Sequence, residues 1–143
     1  MEKIKLSIKD SISLLYELEG VQNQNSGDVL FKGFCNQKIS LKEKYWLSKV
    51  VEFLKKESER VEGIKTDLVK KYGVEEEGSV SIPMFIDEKE NPNYVKFVEE
   101  YQELLNEEIE ITYKPISLSS LENINAEEKY EMLFKLVSED EIV

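Results

Sequence analysis

Residues 41–72 read LKEKYWLSKVVEFLKKESERVEGIKTDLVKKY, and this stretch decides the fold. Leu47, Val50, Leu54, Val61, Ile64, Leu68 and Tyr72 fall mostly at alternating steps of three and four, the spacing that lines one face of an α-helix. The run opens at Ser40-Leu41-Lys42-Glu43, the form of a capping box, in which the serine hydroxyl and the glutamate carboxylate each satisfy a backbone N–H. It contains no proline and a single glycine, Gly63, and Gly73 closes it as a left-handed cap, with Lys70 and Lys71 at the negative end of the helix dipole. At 1.5 Å per residue the helix is about 48 Å long. Gly63 is where a bend is expected, because glycine costs up to about 1 kcal/mol relative to alanine in a helix.

Working outward, Lys3 to Ser7 alternates through Ile4 and Leu6 as a short strand, after which Ser7 or Asp10 opens a helix with Ile8, Ile12, Leu15 and Leu18 on one face and its stop at Gly20. A polar loop from Val21 to Asp28 and an apolar patch from Val29 to Cys35 precede the rod. Beyond it, Val80 and Ile82 alternate before Pro83, which reads as an edge strand or hairpin. Asn91-Pro92 is a cap followed by proline at the first helical position, and Tyr94, Val98, Tyr101 and Leu105 mark the face of the helix it opens. Ile109, Ile111 and Tyr113 alternate with polar residues as the clearest strand. A single turn around Leu118 and Leu121 and a last helix from Asn125 through Tyr130, Leu133, Phe134 and Val137 complete the chain. These elements predict a helix-dominated α+β fold. The long helix and the Pro92 helix form an antiparallel hairpin, with a small antiparallel or mixed sheet from the segments near Ile4, Val80 and Ile111. One domain is expected over 1–137, followed by a flexible acidic tail at 138–143.

The 143 residues hold 19 Lys plus Arg against 30 Asp plus Glu, for a net charge of −11. That balance argues against a nucleic-acid backbone or an anionic membrane surface as partner. The acidity is uneven: residues 1–40 sum to zero, 41–72 to +3 and 73–143 to −14. In one reading the acidic half lies against the basic rod and turns its remaining carboxylates to water. In the other, Glu99, Glu100, Glu103, Glu107, Glu108 and Glu110 form a negative stripe that imitates a phosphate backbone and occupies a nucleic-acid-binding protein.

Histidine is absent, which removes Ser-His-Asp and Cys-His catalysis, the usual zinc sites and the commonest general base at neutral pH. Cys35 is the only cysteine and reads as a buried small apolar residue in a reducing compartment. Glu75-Glu76-Glu77 and Asp87-Glu88 match no EF-hand spacing, and no phosphate loop or nucleophile elbow occurs. No cofactor, metal or catalytic residue is expected. Tyr45 and Trp46 are the aromatic pair suited to anchor a partner, unless packing on the Val29 to Phe34 patch accounts for them. No apolar stretch is long enough to span a bilayer and the N-terminus has no signal-peptide build, so a cytoplasmic protein without a membrane partner is expected.

The order of pieces, with Lys38-Ile39-Ser40-Leu41-Lys42-Glu43-Lys44-Tyr45-Trp46-Leu47 leading into the rod, Lys70-Lys71-Tyr72-Gly73 ending it, Glu107-Glu108-Ile109-Glu110-Ile111 and Ile116-Ser117-Leu118-Ser119-Ser120-Leu121-Glu122, resembles a group of small uncharacterised bacteriophage and prophage proteins. The resemblance covers about Lys38 to Glu122 and carries over no functional residue; the polar loop Gln22 to Asp28 departs from it. It implies a non-enzymatic, protein-binding accessory protein acting in a bacterial host cell, with a host or phage protein as partner. Inhibition of a host defence component is the expected role. The alternative is a virion or tail morphogenesis component that forms a homo-oligomer through the long helix.

Overall fold

The computed structural model describes residues 1–22, 25–123 and 130–137. The fold is α+β and helix-dominated. In chain order it comprises β1 (Glu2–Ser7), α1 (Ile8–Glu19), β2 (Val21–Gln22), β3 (Val29–Phe31), α2 (Leu41–Tyr72), β4 (Val74–Glu76), β5 (Ser79–Ser81), β6 (Phe85–Ile86), β7 (Lys89–Glu90), α3 (Pro92–Leu105) and β8 (Glu108–Tyr113), with short 3-10 turns at Phe34–Asn36, Leu118–Asn123 and Met132–Leu136. The chain divides into two compact units: 1–55 with 108–143, and 56–107. The acidic tail at 138–143 and the opening of the last helix at Asn125 lie outside the described residues.

The first unit holds the hydrophobic core. β1 and β8 pair antiparallel, with Ile4 opposite Ile111 and Leu6 opposite Ile109. Period-two alternation turns these four to one face and leaves Lys5 opposite Glu110 on the other. Leu14, Leu15 and Leu18 of α1, Phe34, and Leu47, Val50 and Leu54 of α2 close over the apolar face together with Ile116, Leu133 and Leu136. Each such leucine contributes about 2 kcal/mol through the apolar area it removes from water. Ser7 caps α1, its hydroxyl accepting the Asp10 N–H at 3.1 Å.

Two connections fix the C-terminal turn of α1. Gly33, at φ 85°, lies against the last turn of the helix, where an added Cβ would meet Gly20 N and the Glu19 carbonyl group. Beside it, the Asn36 amide donates to the carbonyls of Glu19 at 3.0 Å and Lys32 at 2.8 Å. On the opposite flank, the Glu17 carboxylate accepts the N–H groups of Glu131 (2.6 Å), Met132 (2.9 Å) and Leu133 (3.2 Å). A side chain distant in sequence thus supplies the acceptors that a helical N-terminus lacks.

The second unit is built differently. α2 passes Gly63 without interruption, and no described residue beyond the helix backbone lies within 4 Å of a Cβ added there. β4 and β5 form a hairpin closed by Glu77 and Gly78, and β6 and β7 form another closed by Asp87 and Glu88; all four turn residues have positive φ. Such turns match the right-handed twist of two-residue hairpins. Asn91 joins the second hairpin to α3. Its side chain accepts the Asn93 N–H at 3.1 Å as N-cap and donates to the Pro83 carbonyl at 2.8 Å, while its own N–H donates to the Met84 carbonyl at 3.0 Å. Lys71 pairs with Glu100 at 3.7 Å and Lys65 sits 5.5 Å over the Tyr101 ring, bringing α3 against the later turns of α2.

Four expectations require correction. Val80 does not join Ile4 and Ile111 in one sheet but pairs with Glu75 in the separate β4–β5 hairpin. Gly73 has no positive φ; glycine is required there because a Cβ would meet the Val69 carbonyl oxygen, Val80 Cγ1 and the Ser81 carbonyl oxygen. The capping box is half made: Ser40 Oγ accepts the Glu43 N–H at 3.2 Å, but the Glu43 carboxylate turns to the Ser120 hydroxyl. The described part of the last helix is a 3-10 turn over Met132–Leu136, and Phe134 is exposed. Buried Tyr130, Leu133 and Leu136 recur every three residues, the 3-10 period, which accounts for the difference.

Gly33→Ala should destabilise the protein by about 2 kcal/mol or more, from positive φ and backbone collision. Gly63→Ala should stabilise the second unit by up to about 1 kcal/mol through helix propensity alone. Denaturant titrations of the two variants check both signs. In the same assay Asn91→Ala should cost about 1–2 kcal/mol as α3 loses its cap.

Candidate functional site

In the first unit, Tyr45 and Trp46 occupy the second turn of α2 as an edge-to-face pair with ring centroids 5.2 Å apart. Consecutive helical residues point about 100° apart, so the pair spreads across the helix surface; Tyr45 is exposed and Trp46 half-buried. Lys49 Nζ stands 5.0 Å from the Tyr45 centroid and 4.8 Å from that of Trp46, and Lys114 Nζ stands 5.1 Å from Trp46. The indole is therefore held by cations of the same chain. It forms one wall of a cavity of about 190 Å³ between the start of α2 and residues 114–117, also lined by Lys42, Glu43 and Leu47. One Glu43 carboxylate oxygen accepts the Ser120 hydroxyl, and the other is buried with no hydrogen-bond partner among the described residues. The volume lies below the range of about 300–1,000 Å³ common to small-molecule sites and is closer to that of one side chain.

Cys35 lies beside Glu19 and Lys44. Burial, reinforced by the Glu19 carboxylate and opposed by Lys44, pushes its thiol up from 9.0 to about 11. It is therefore held as a thiol at neutral pH, the opposite of what an activated nucleophile needs.

The acidic residues are distributed between the units. Glu99 and Glu103, four residues apart, share an exposed face of α3. Glu100 is half-buried against Lys71, and the Tyr72 hydroxyl and Glu100 carboxylate together hold the Lys71 ammonium above its usual range. The second Glu100 oxygen is buried with no hydrogen-bond partner among the described residues. Glu107 follows α3 and is exposed, its N–H bonding the Leu104 carbonyl at 3.1 Å. Glu108 and Glu110 belong to β8 in the other unit, where Glu110 pairs with Lys3 at 3.6 Å.

The second unit displays a feature that the sequence reading passed over. Among residues 56–107 the buried apolar side chains are Val61 and Leu105, while Ile64, Val74, Met84, Phe85, Ile86 and Val98 are exposed. The same 52 residues carry seven Lys plus Arg and fourteen Asp plus Glu, a net charge of −7. The apolar run Met84-Phe85-Ile86 stood in the sequence directly after Pro83, but alternation alone cannot say which side of a strand is covered.

No protein-family model matches this chain, and no curated protein and no solved structure matches it. Among the described residues no helix is long and apolar enough to cross a membrane. No group of three His, Cys, Asp or Glu side chains among them is placed to hold a metal ion.

The Cys35 environment has a measurable consequence at high pH. The unfolded chain releases its thiol proton near pH 9 and the folded chain near pH 11, so stability is unaffected by this group below about pH 9 and falls as the pH rises from 9 to 11. Cys35→Ala should remove that part of the alkaline loss, measured as the difference between the variants' denaturant midpoints across this range. Reaction of Cys35 with an aromatic disulfide at pH 8 should be slow in the native protein and fast in denaturant.

Proposed function

We propose that this chain is a non-enzymatic, protein-binding accessory protein whose binding surface is carried by residues 56–107. The exposed apolar side chains of that segment are the observation that supports this reading. Six of its large apolar groups, Ile64, Val74, Met84, Phe85, Ile86 and Val98, lie open to water beside a dense set of carboxylates, a composition that suits a surface completed by another protein. The acidic balance favours a basic partner and faster encounter with it. Glu99 and Glu103 on α3 contribute to that field, whereas Tyr45 and Trp46, with Lys49 and Lys114 over their rings, belong to a cationic surface of the other unit.

Following the resemblance to small phage and prophage proteins, we propose that the partner is a host protein and that the role is inhibition of a host defence component. Association by occupation needs no catalytic group, which suits a chain without histidine. A second reading, self-assembly in virion or tail morphogenesis, draws support from Ile64 on α2, which is 39% exposed within the apolar stripe. Like charges on the acidic unit weigh against a homo-oligomer built through this surface.

Capture from lysates of infected bacteria with the tagged full chain should recover a basic host protein, with binding weakened by salt. Recovery of phage structural proteins alone, together with a high-order oligomer in solution, would favour the morphogenesis reading instead.

A further inference from the structure

We infer that the β6–β7 hairpin is the docking element of this surface, and that Met84, Phe85 and Ile86 enter an apolar groove rimmed by lysine and arginine on a different protein. The inference rests on the protein-binding reading and adds the element and the chemistry of the partner.

Three consecutive large apolar side chains are open at this point, with exposures of 53%, 62% and 49% for Met84, Phe85 and Ile86. Phe85 and Ile86 are adjacent in a strand, so they face opposite sides of the hairpin. A flat surface would cover one of them, whereas a groove covers both. The arm is ordered before binding: Phe85 pairs with Glu90, Ile86 pairs with Lys89, and Asn91 ties its base through the Met84 and Pro83 carbonyls. A partner therefore meets an aromatic anchor whose backbone entropy has already been lost.

The charges around the arm define the rim it fits. Asp87 and Glu88 form the turn and Glu90 stands across from Phe85, with Lys89 the one base among them. The neighbouring hairpin makes its turn with glycine at the second position, Gly78 at φ 83°, while this one holds Glu88 at φ 65°. An acid occupies a backbone conformation that glycine adopts with less strain. A second copy of the chain is a poor occupant, because residues 74–107 hold two Lys and ten Asp plus Glu, a net charge of −8 that would be brought against itself. A basic rim on a heterologous partner neutralises the same charges.

The test places a photo-crosslinking p-benzoylphenylalanine at position 85 of the full-length chain, with the same group at exposed Tyr16 of α1 as control. Irradiation in infected-cell lysate should link position 85 to a heterologous protein about 10-fold more strongly than position 16. The triple change Asp87→Lys, Glu88→Lys and Glu90→Lys should reduce that adduct by about 10-fold or more, with an unchanged far-UV spectrum. Both results together support the inference. Adducts with a second copy, equal adducts from both positions, or adducts indifferent to charge reversal would overturn it. No adduct from position 85 without the charge reversal, while the tagged wild-type chain still captures a partner, would sink the hairpin assignment alone; absence of both adduct and capture would sink the protein-binding reading as well.

Discussion

The pairing of β1 with β8 is the constraint on which the rest of the structure depends. It joins Glu2–Ser7 to Glu108–Tyr113, so everything between must leave this two-stranded sheet and return to it. The sheet alone would be marginal, since two strands bury too little apolar surface to persist in water. α1, Phe34 and the first half of α2 supply the covering layer, and the turn at Met132–Leu136 completes it. Residues 56–107 are accordingly an insertion in a unit made from two separated stretches of chain.

Stability and availability are divided between these parts. Every residue of the buried core cluster lies in the first unit, and Glu17 binds its C-terminal segment through three backbone N–H groups. The insertion relies on the helical continuity of α2, on the clamp at Asn91 and on ion and aromatic contacts such as Lys71 with Glu100. Phe97 and Tyr101 stack within α3 with centroids 5.9 Å apart, an arrangement that orders the helix face without enclosing it. A segment so built has apolar surface free for use elsewhere, because little of it is spent on internal packing.

Elements whose signal is local were legible in the sequence. Ser7 before α1, Asn91-Pro92 before α3, the alternation of Ile109, Ile111 and Tyr113, and the full extent of α2 all act through capping or periodicity within a few residues. Features set by distant groups were not. The Glu43 carboxylate satisfies Ser120 across 77 residues instead of its own helix end, and Gly73 is fixed by Val80 and Ser81. The acidic stripe was drawn from sequence proximity, yet Glu100 turns inward to Lys71 while Glu99 and Glu103 stay outside. The apolar arm at Met84 to Ile86 escaped for a related reason: burial belongs to the fold as a whole, and a pattern of two residues per strand is too short to reveal which face is uncovered.

The closing pair of strands also sets the order in which the molecule is completed. β1 leaves the ribosome before β8 and stays without its partner until Tyr113 has followed, which at about 5–20 residues per second is roughly 5–20 s later. All of residues 56–107 have been synthesised before that moment, and the β4–β5 and β6–β7 hairpins need only contacts near in sequence. The apolar side chains of the insertion are therefore synthesised before the core of the first unit can close, and Ile4 and Leu6 wait through that interval for Ile111 and Ile109, their partners in the sheet.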